Sequence, residues 1–242
     1  MGAFHRSRPR LDGRPRAREA GHMSAPPLSP HPQTDALIVV DVQPDFMPGG
    51  ALPVPGGDAI LPLVNALLPC FGRVVATQDW HPPGHLSFAS QHPGRAPFET
   101  VAFPYGPQTL WPDHCVQGTP GAALHPVLET RPLQAIFRKG MRRAVDSYSG
   151  FTENDRQSGT GLAGYLRALD VRRVFLCGLA TDFCVAATAR DAAAQGFEAV
   201  VILDACRAIA APLPGGGDTL EAAMEGFQDS GVAVLGSTAL LG

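Results

Sequence analysis

From residue 36 onward, short apolar runs rich in β-branched residues alternate with longer amphipathic stretches, and this pattern is the one a mostly parallel sheet covered on both faces requires. The runs occupy residues 36–40, 74–77, 135–138, 174–178, 199–203 and 232–235. Each is too short for a self-burying helix and long enough for a strand. Between them, helical periodicity fits residues 59–68, 161–169, 182–195 and 219–229. Asp218 opens the last of these with Glu221 three positions on, a capping-box arrangement. The expected fold class is α/β, a three-layer fold with a central, mostly parallel six-stranded sheet and helices on both faces.

A chain of 242 residues that is 45% hydrophobic and 17% charged can fill one core, so a single domain over residues 35–242 is expected. The first 34 residues differ. Six arginines between Arg6 and Arg18 face only Asp12 and Glu19, and six prolines interrupt the segment by Pro32. That composition predicts a disordered Arg/Pro-rich tail, with Met23 as an alternative start. No apolar run approaches the roughly 20 residues that a spanning helix needs, so no membrane partner is expected. A formal net charge of -3 offers no field to hold a polyanion, so nucleic acid is not an expected partner. Five cysteines, odd in number and without a CxxC pair, predict neither a disulfide framework nor a zinc knuckle and fit a reducing cytoplasm.

Residues 81–132 are dense in Pro, Gly and His and carry little periodicity; a loop of that length in a compact domain is expected to cover a site. In an open α/β sheet, ligands bind beyond the carboxyl ends of the strands. Four chemically distinctive residues stand there: Asp41, Asp79, Lys139 and, one turn past its strand, Cys184. The run VFLCGLATDFC over 174–184 reads as strand, tight turn and helix start, which puts the Cys184 thiol in a first helical turn. There the helix dipole is expected to lower its pKa toward neutrality. The competing reading is an inert core cysteine. Asp41 and Lys139 each end an apolar run, and burying either alone is costly. Paired beside a thiol, the carboxylate can take its proton and the ammonium can support both; a plain surface ion pair is the alternative.

Asp79 and His81 alternate on one side of a strand end, and His114 arrives from the long loop. One carboxylate with two imidazoles suits one divalent ion, Zn, Fe or Mn, with open positions left for water or substrate. His85 is a second-sphere residue or an optional further ligand. His92 and His125 read as ordinary polar residues.

Several strings together resemble the nicotinamidases within the isochorismatase-like hydrolases: VVDVQPDF (39–46), TQDWH (77–81), WPDHCVQGT (111–119), FRKG (137–140) and CGLATDFCV (177–185). The resemblance implies hydrolysis of nicotinamide to nicotinate and ammonia through a thioester, in NAD salvage, with Asp41, Lys139 and Cys184 as the catalytic triad. It also implies a metal, most commonly Zn, on Asp79, His81 and His114 that binds the pyridine nitrogen. Phe46 and Trp111 match aromatic residues bordering the ring, and Tyr148 matches a further substrate position. A cis peptide would join Leu179 to Ala180, and the N–H groups of Ala180 and Cys184 would form the oxyanion hole. Pyrazinamide is an expected second substrate, and a homo-oligomer is left open. The rival readings are a relative acting on another small amide or on isochorismate, a metal-binding protein in which Cys184 is core, and a thiol redox protein using Cys177.

Overall fold

The computed structural model describes residues 1, 2 and 29–242. Its strands are β1 (Asp35–Val40), β2 (Val74–Asp79), β3 (Thr100–Phe103), β4 (Gly106–Thr109), β5 (Ala135–Lys139), β6 (Arg173–Leu179), β7 (Glu198–Arg207) and β8 (Ala233–Leu235). Six of them form one sheet in the order β5-β2-β1-β6-β7-β8, with every neighbouring pair parallel. The helices are α1 (Leu61–Leu67), α2 (Leu162–Ala168), α3 (Ala186–Ala194), α4 (Thr219–Asp229) and α5 (Thr238–Leu241).

Central β1 is buried along its whole length, and its side chains divide between two cores as strand alternation demands. Leu37 and Val39 pack with Leu61, Val64 and Leu67 of α1 and Leu240 of α5. Ala36, Ile38 and Val40 pack with α2, α3 and α4 through Leu162, Ala189 and Phe227. The three layers are thus as the apolar runs predict. The capping box is formed: Asp218 accepts from the N–H groups of Leu220 and Glu221, and Glu221 accepts from the N–H of Asp218.

Besides shifts of one or two residues at other ends, four larger differences from the sequence reading stand out. The helix expected over 59–68 narrows to α1 between two 3-10 turns, because Pro69 cannot supply the next α-helical N–H and its ring clashes with the turn before it. The helix expected over 182–195 divides into a π-helical turn, Thr181–Val185, followed by α3. Strand β7 runs to Arg207 rather than 203: its register against β6 shifts between Leu176 and Gly178, and pairing resumes beyond Asp204, whose carboxylate is held by Ser237. The long loop contains the β3–β4 hairpin, hard to see as a pattern because each strand has only four residues and the apolar pair on β3, Val101 and Phe103, is only half-buried.

Most of the tail expected over residues 1–34 lies outside the described residues. Residues 31–34 form a turn whose Thr34 carbonyl accepts from Arg172 N–H at 2.8 Å. Among the described residues, no helix is long and apolar enough to cross a membrane.

One glycine draws β1 and β6 together beneath the site. Gly178 has φ +123°, and a Cβ there would stand 2.1 Å from the Val40 carbonyl oxygen. Gly178→Ala is therefore expected to lower stability by about 3 kcal/mol or more, read from the denaturant midpoint. A midpoint equal to the parent's would refute this close approach.

Candidate active site

Asp41, Asp79, Lys139 and the turn bearing Cys184 follow or end β1, β2, β5 and β6, four consecutive neighbours in the sheet, so their side chains meet at one edge. Lys139 is the junction. Its Nζ lies 2.9 Å from Asp41 Oδ2, 3.1 Å from Asp79 Oδ1, 2.9 Å from the Ser147 carbonyl and 3.4 Å from Cys184 Sγ. Lys139 is 1% exposed and Asp41 0%, so this is no surface ion pair. Asp41 sits at φ +47°, a left-handed conformation that Asp and Asn tolerate better than most residues. Thr77 fixes it on both sides, accepting from its N–H and donating to Oδ1 at 2.6 Å. Asp41 Oδ2 forms the ion pair with Lys139 but makes no aligned hydrogen bond, which leaves a lone pair open to the thiol.

The acid–base balance differs from the helix-end expectation. Burial, aided by Asp41 and Asp79, pushes the Cys184 thiol well above its ordinary pKa, and Lys139 only partly opposes this. The dipole of one irregular turn is outweighed by burial beside two carboxylates. Burial and Asp79 also raise Asp41, against Lys139 and Thr77. For Lys139, burial works to lower the pKa, but Asp41, Asp79 and Cys184 outweigh it and hold the ammonium charged. At rest, the proton thus belongs on the thiol, next to a carboxylate whose proton affinity is itself increased.

Asp79, His81 and His114 form the second cluster, all buried. His81 Nδ1 meets the Gly140 carbonyl at 3.0 Å, and His114 Nδ1 meets that of Pro112 at 2.8 Å. A carbonyl only accepts, so each Nδ1 carries the proton and each Nε2 presents a lone pair. Those Nε2 atoms lie 3.1 and 3.3 Å from Asp79 Oδ2. Three acceptors converge on one point, an arrangement that a divalent cation satisfies. Gly140, at φ +64°, lets the chain pass: a Cβ there would be 2.5 Å from His81 Cε1.

His85 stands behind this cluster, its ring centroid 4.4 Å from that of His81. Its Nδ1 accepts from the Ser87 N–H at 3.2 Å, which leaves the proton on Nε2, facing the Val145 carbonyl at 3.2 Å. Both nitrogens are engaged, which favours a second-sphere place for it.

A cavity opens above the two clusters. Phe46, Trp111, Tyr148, Ala180 and Cys184 line it, together with Asp79 and His114, so the expected slot residues are gathered in one place. Trp111 meets Phe183 edge-on at 5.0 Å and donates from Nε1 to the Tyr148 hydroxyl at 3.2 Å. The Leu179–Ala180 peptide is cis. Cys177 packs in the α1-side core and Cys184 against the opposite one, which removes Cys177 as a redox partner.

Several supporting residues escaped the sequence reading. Gln43 locks the backbone of Asp79, donating to its carbonyl and accepting from its N–H, both at 2.8 Å. Asp45 accepts from Cys115 N–H at 2.7 Å and so holds the segment carrying His114. Asp146 lines the cavity and takes Gln108 Nε2 at 2.7 Å. Gln43 and Asp45 stand inside the 39–46 string and were within reach; Asp146 lies in irregular chain with no local signal.

Comparison with known proteins gives a consistent set. Residues 35–238 match the Isochorismatase domain family. The chain is 58% identical over 174 residues to a nicotinamidase of Acinetobacter baylyi, covering 72% of this chain and 81% of that one. It is similar in structure to a nicotinamidase/pyrazinamidase of Acinetobacter baumanii, with a TM-score of 0.83 and 50% identity over 88% of this chain and 100% of that one. A pyrazinamidase of Pyrococcus horikoshii in complex with zinc superposes with a TM-score of 0.66 and 40% identity, covering 84% and 98%.

Proposed function

The chain belongs to the isochorismatase family, and we propose that it hydrolyses nicotinamide to nicotinate and ammonia through a thioester on Cys184, supplying nicotinate to NAD salvage. The observation that carries this is Lys139: one ammonium joins the thiol, its neighbouring carboxylate and the metal-type cluster beneath a single aromatic slot. Asp41 Oδ2 takes the Cys184 proton as sulfur attacks the amide carbon, and Lys139 stabilises the charge left on the pair. The N–H groups of Ala180 and Cys184 receive the oxyanion. Asp41 then returns the proton to the departing nitrogen, which leaves as ammonia. Water, activated by the same carboxylate, opens the thioester, and the thiol regains its proton.

Phe46 and Trp111 flank a flat ring, and Tyr148 borders it. Asp79, His81 and His114 would hold one divalent ion, for which zinc is the choice that the donor set and the zinc-bound relative support. What the ion supplies when bound is a Lewis-acidic contact for the pyridine nitrogen, which orients the carboxamide. Pyrazinamide, with one more ring nitrogen, fits the same slot. A reducing cytoplasm suits a catalytic thiol, and all five cysteines are free.

If the ion orients the ring rather than performing the chemistry, stripping it with a chelator should raise KM about tenfold or more while kcat changes only a few-fold. Steady-state kinetics with nicotinamide before and after reloading with zinc reads this split. A fall in kcat at saturating substrate as large as the rise in KM would sink the orienting role, and no turnover at any metal load would sink the amidase reading itself.

A further inference from the structure

One wall of the slot comes from outside every motif that the sequence offers. Ile209 lines the cavity from the segment just after β7. Its position is tied to the nucleophile turn by Asp182, two residues before Cys184. Asp182 Oδ1 accepts from the Ile209 N–H at 3.1 Å, and Oδ2 accepts from the Ala210 N–H at 2.8 Å and from the Thr219 hydroxyl. Thr219 Oγ1 in turn accepts from Ala211 N–H at 2.9 Å. Ala210 stands at φ +53°, a conformation that an alanine rarely adopts unless its surroundings hold it.

These bonds gather the neck of a closed excursion. Thr219 N–H returns to the Ala211 carbonyl at 3.0 Å, and Leu213 N–H to that of Gly217 at 3.1 Å, so the PLPGGG stretch over 212–217 loops out while its two feet meet at Asp182. Core packing holds Ile209 only in part, since it is a half-buried residue at the margin of its cluster. The carboxylate therefore sets how far the Ile209 wall stands from Cys184.

We propose that Asp182 is a positioning residue that fixes the width of the slot through Ile209, and so decides which ring amides are accepted rather than how fast the bound amide reacts. The idea rests on the amidase reading. Removing the carboxylate frees two backbone N–H groups and releases the left-handed turn at Ala210, so the wall relaxes outward. A single pyridine ring is then held less well, and a bicyclic heteroaromatic amide gains room.

The test uses the full, metal-loaded protein with nicotinamide and quinoline-3-carboxamide as competing substrates. For Asp182→Ala we expect KM for nicotinamide to rise about tenfold with kcat within about threefold, and the quinoline-to-nicotinamide ratio of kcat/KM to rise about tenfold. Ile209→Ala should shift the ratio in the same direction, and the double variant should add little to either single change. Metal content and the rate of Cys184 alkylation by iodoacetamide should match the parent. Thr219→Val, which removes the hydroxyl that donates to Asp182 and accepts from the Ala211 N–H but leaves the carboxylate's bonds to Ile209 and Ala210, should give a smaller shift of the same sign and serves if Asp182→Ala does not fold. An unchanged ratio in both Asp182→Ala and Thr219→Val, or fully additive effects with Ile209→Ala, would overturn the proposal. So would a fall in kcat and alkylation rate that matches the change in KM. A parent that released no ammonia would instead defeat the amidase reading.

Discussion

Cys184→Ala is expected to lower kcat for nicotinamide by about 10⁴-fold or more while changing nicotinamide affinity only a few-fold. Cys184 lines the cavity, and its sulfur, 3.4 Å from Lys139 Nζ, is the nucleophile of this reading. Phe46, Trp111 and the Asp79, His81 and His114 cluster, which hold the ring, are untouched by the change. Removing one sulfur from a site that is 8% exposed leaves a small void without an unpaired charge, so folding should survive. Single-turnover kinetics and calorimetric binding of nicotinamide check the two halves separately. Retention of most of the parent's rate would return Cys184 to the core-residue reading, and a metal-binding protein would then be the better description.

Asp41→Asn should produce the second-largest loss, about 10³-fold in kcat with KM little changed. The substitution is chosen because Asn accepts the φ of +47° and keeps nearly the same shape. What it loses is the ability to hold a proton from sulfur. Burial raises both the Cys184 thiol and the Asp41 carboxyl, so sulfur cannot lose its proton to solvent readily and depends on the adjacent base. Lys139, 1% exposed, would retain Asp79 at 3.1 Å but lose its closer carboxylate, so a modest fall in melting temperature should accompany the kinetic change. The distinguishing readout is alkylation of Cys184 by iodoacetamide, which should slow in Asp41→Asn. Alkylation at the parent's rate would show that another group takes the proton.

The skeleton of this site was legible because parallel sheets place function at strand ends. Asp41, Asp79 and Lys139 each follow or close an apolar run, and the runs belong to adjacent strands, so reading the ends amounted to reading one edge. The remainder depended on chain segments far apart. Gln108 reaches Asp146 across 38 residues, and Asp182 holds Ile209 across 27, through irregular backbone that carries no periodic signal. The thiol's acidity was misjudged for a related reason. A helix end is visible locally, whereas burial beside Asp41 and Asp79 exists only after the sheet has formed. Hairpin β3–β4 was hidden because its strands are four residues long and its one apolar pair, Val101 and Phe103, is too short a signal. The strand continuing past Asp204 was hidden because a polar residue interrupts its run.

Ammonia release from nicotinamide by the purified, metal-loaded protein tests the central claim most directly. The account predicts equimolar ammonia and nicotinate, with both lost in proportion as iodoacetamide alkylates Cys184. Absence of ammonia from the untreated protein, or release that continues undiminished after Cys184 is fully alkylated, would contradict it.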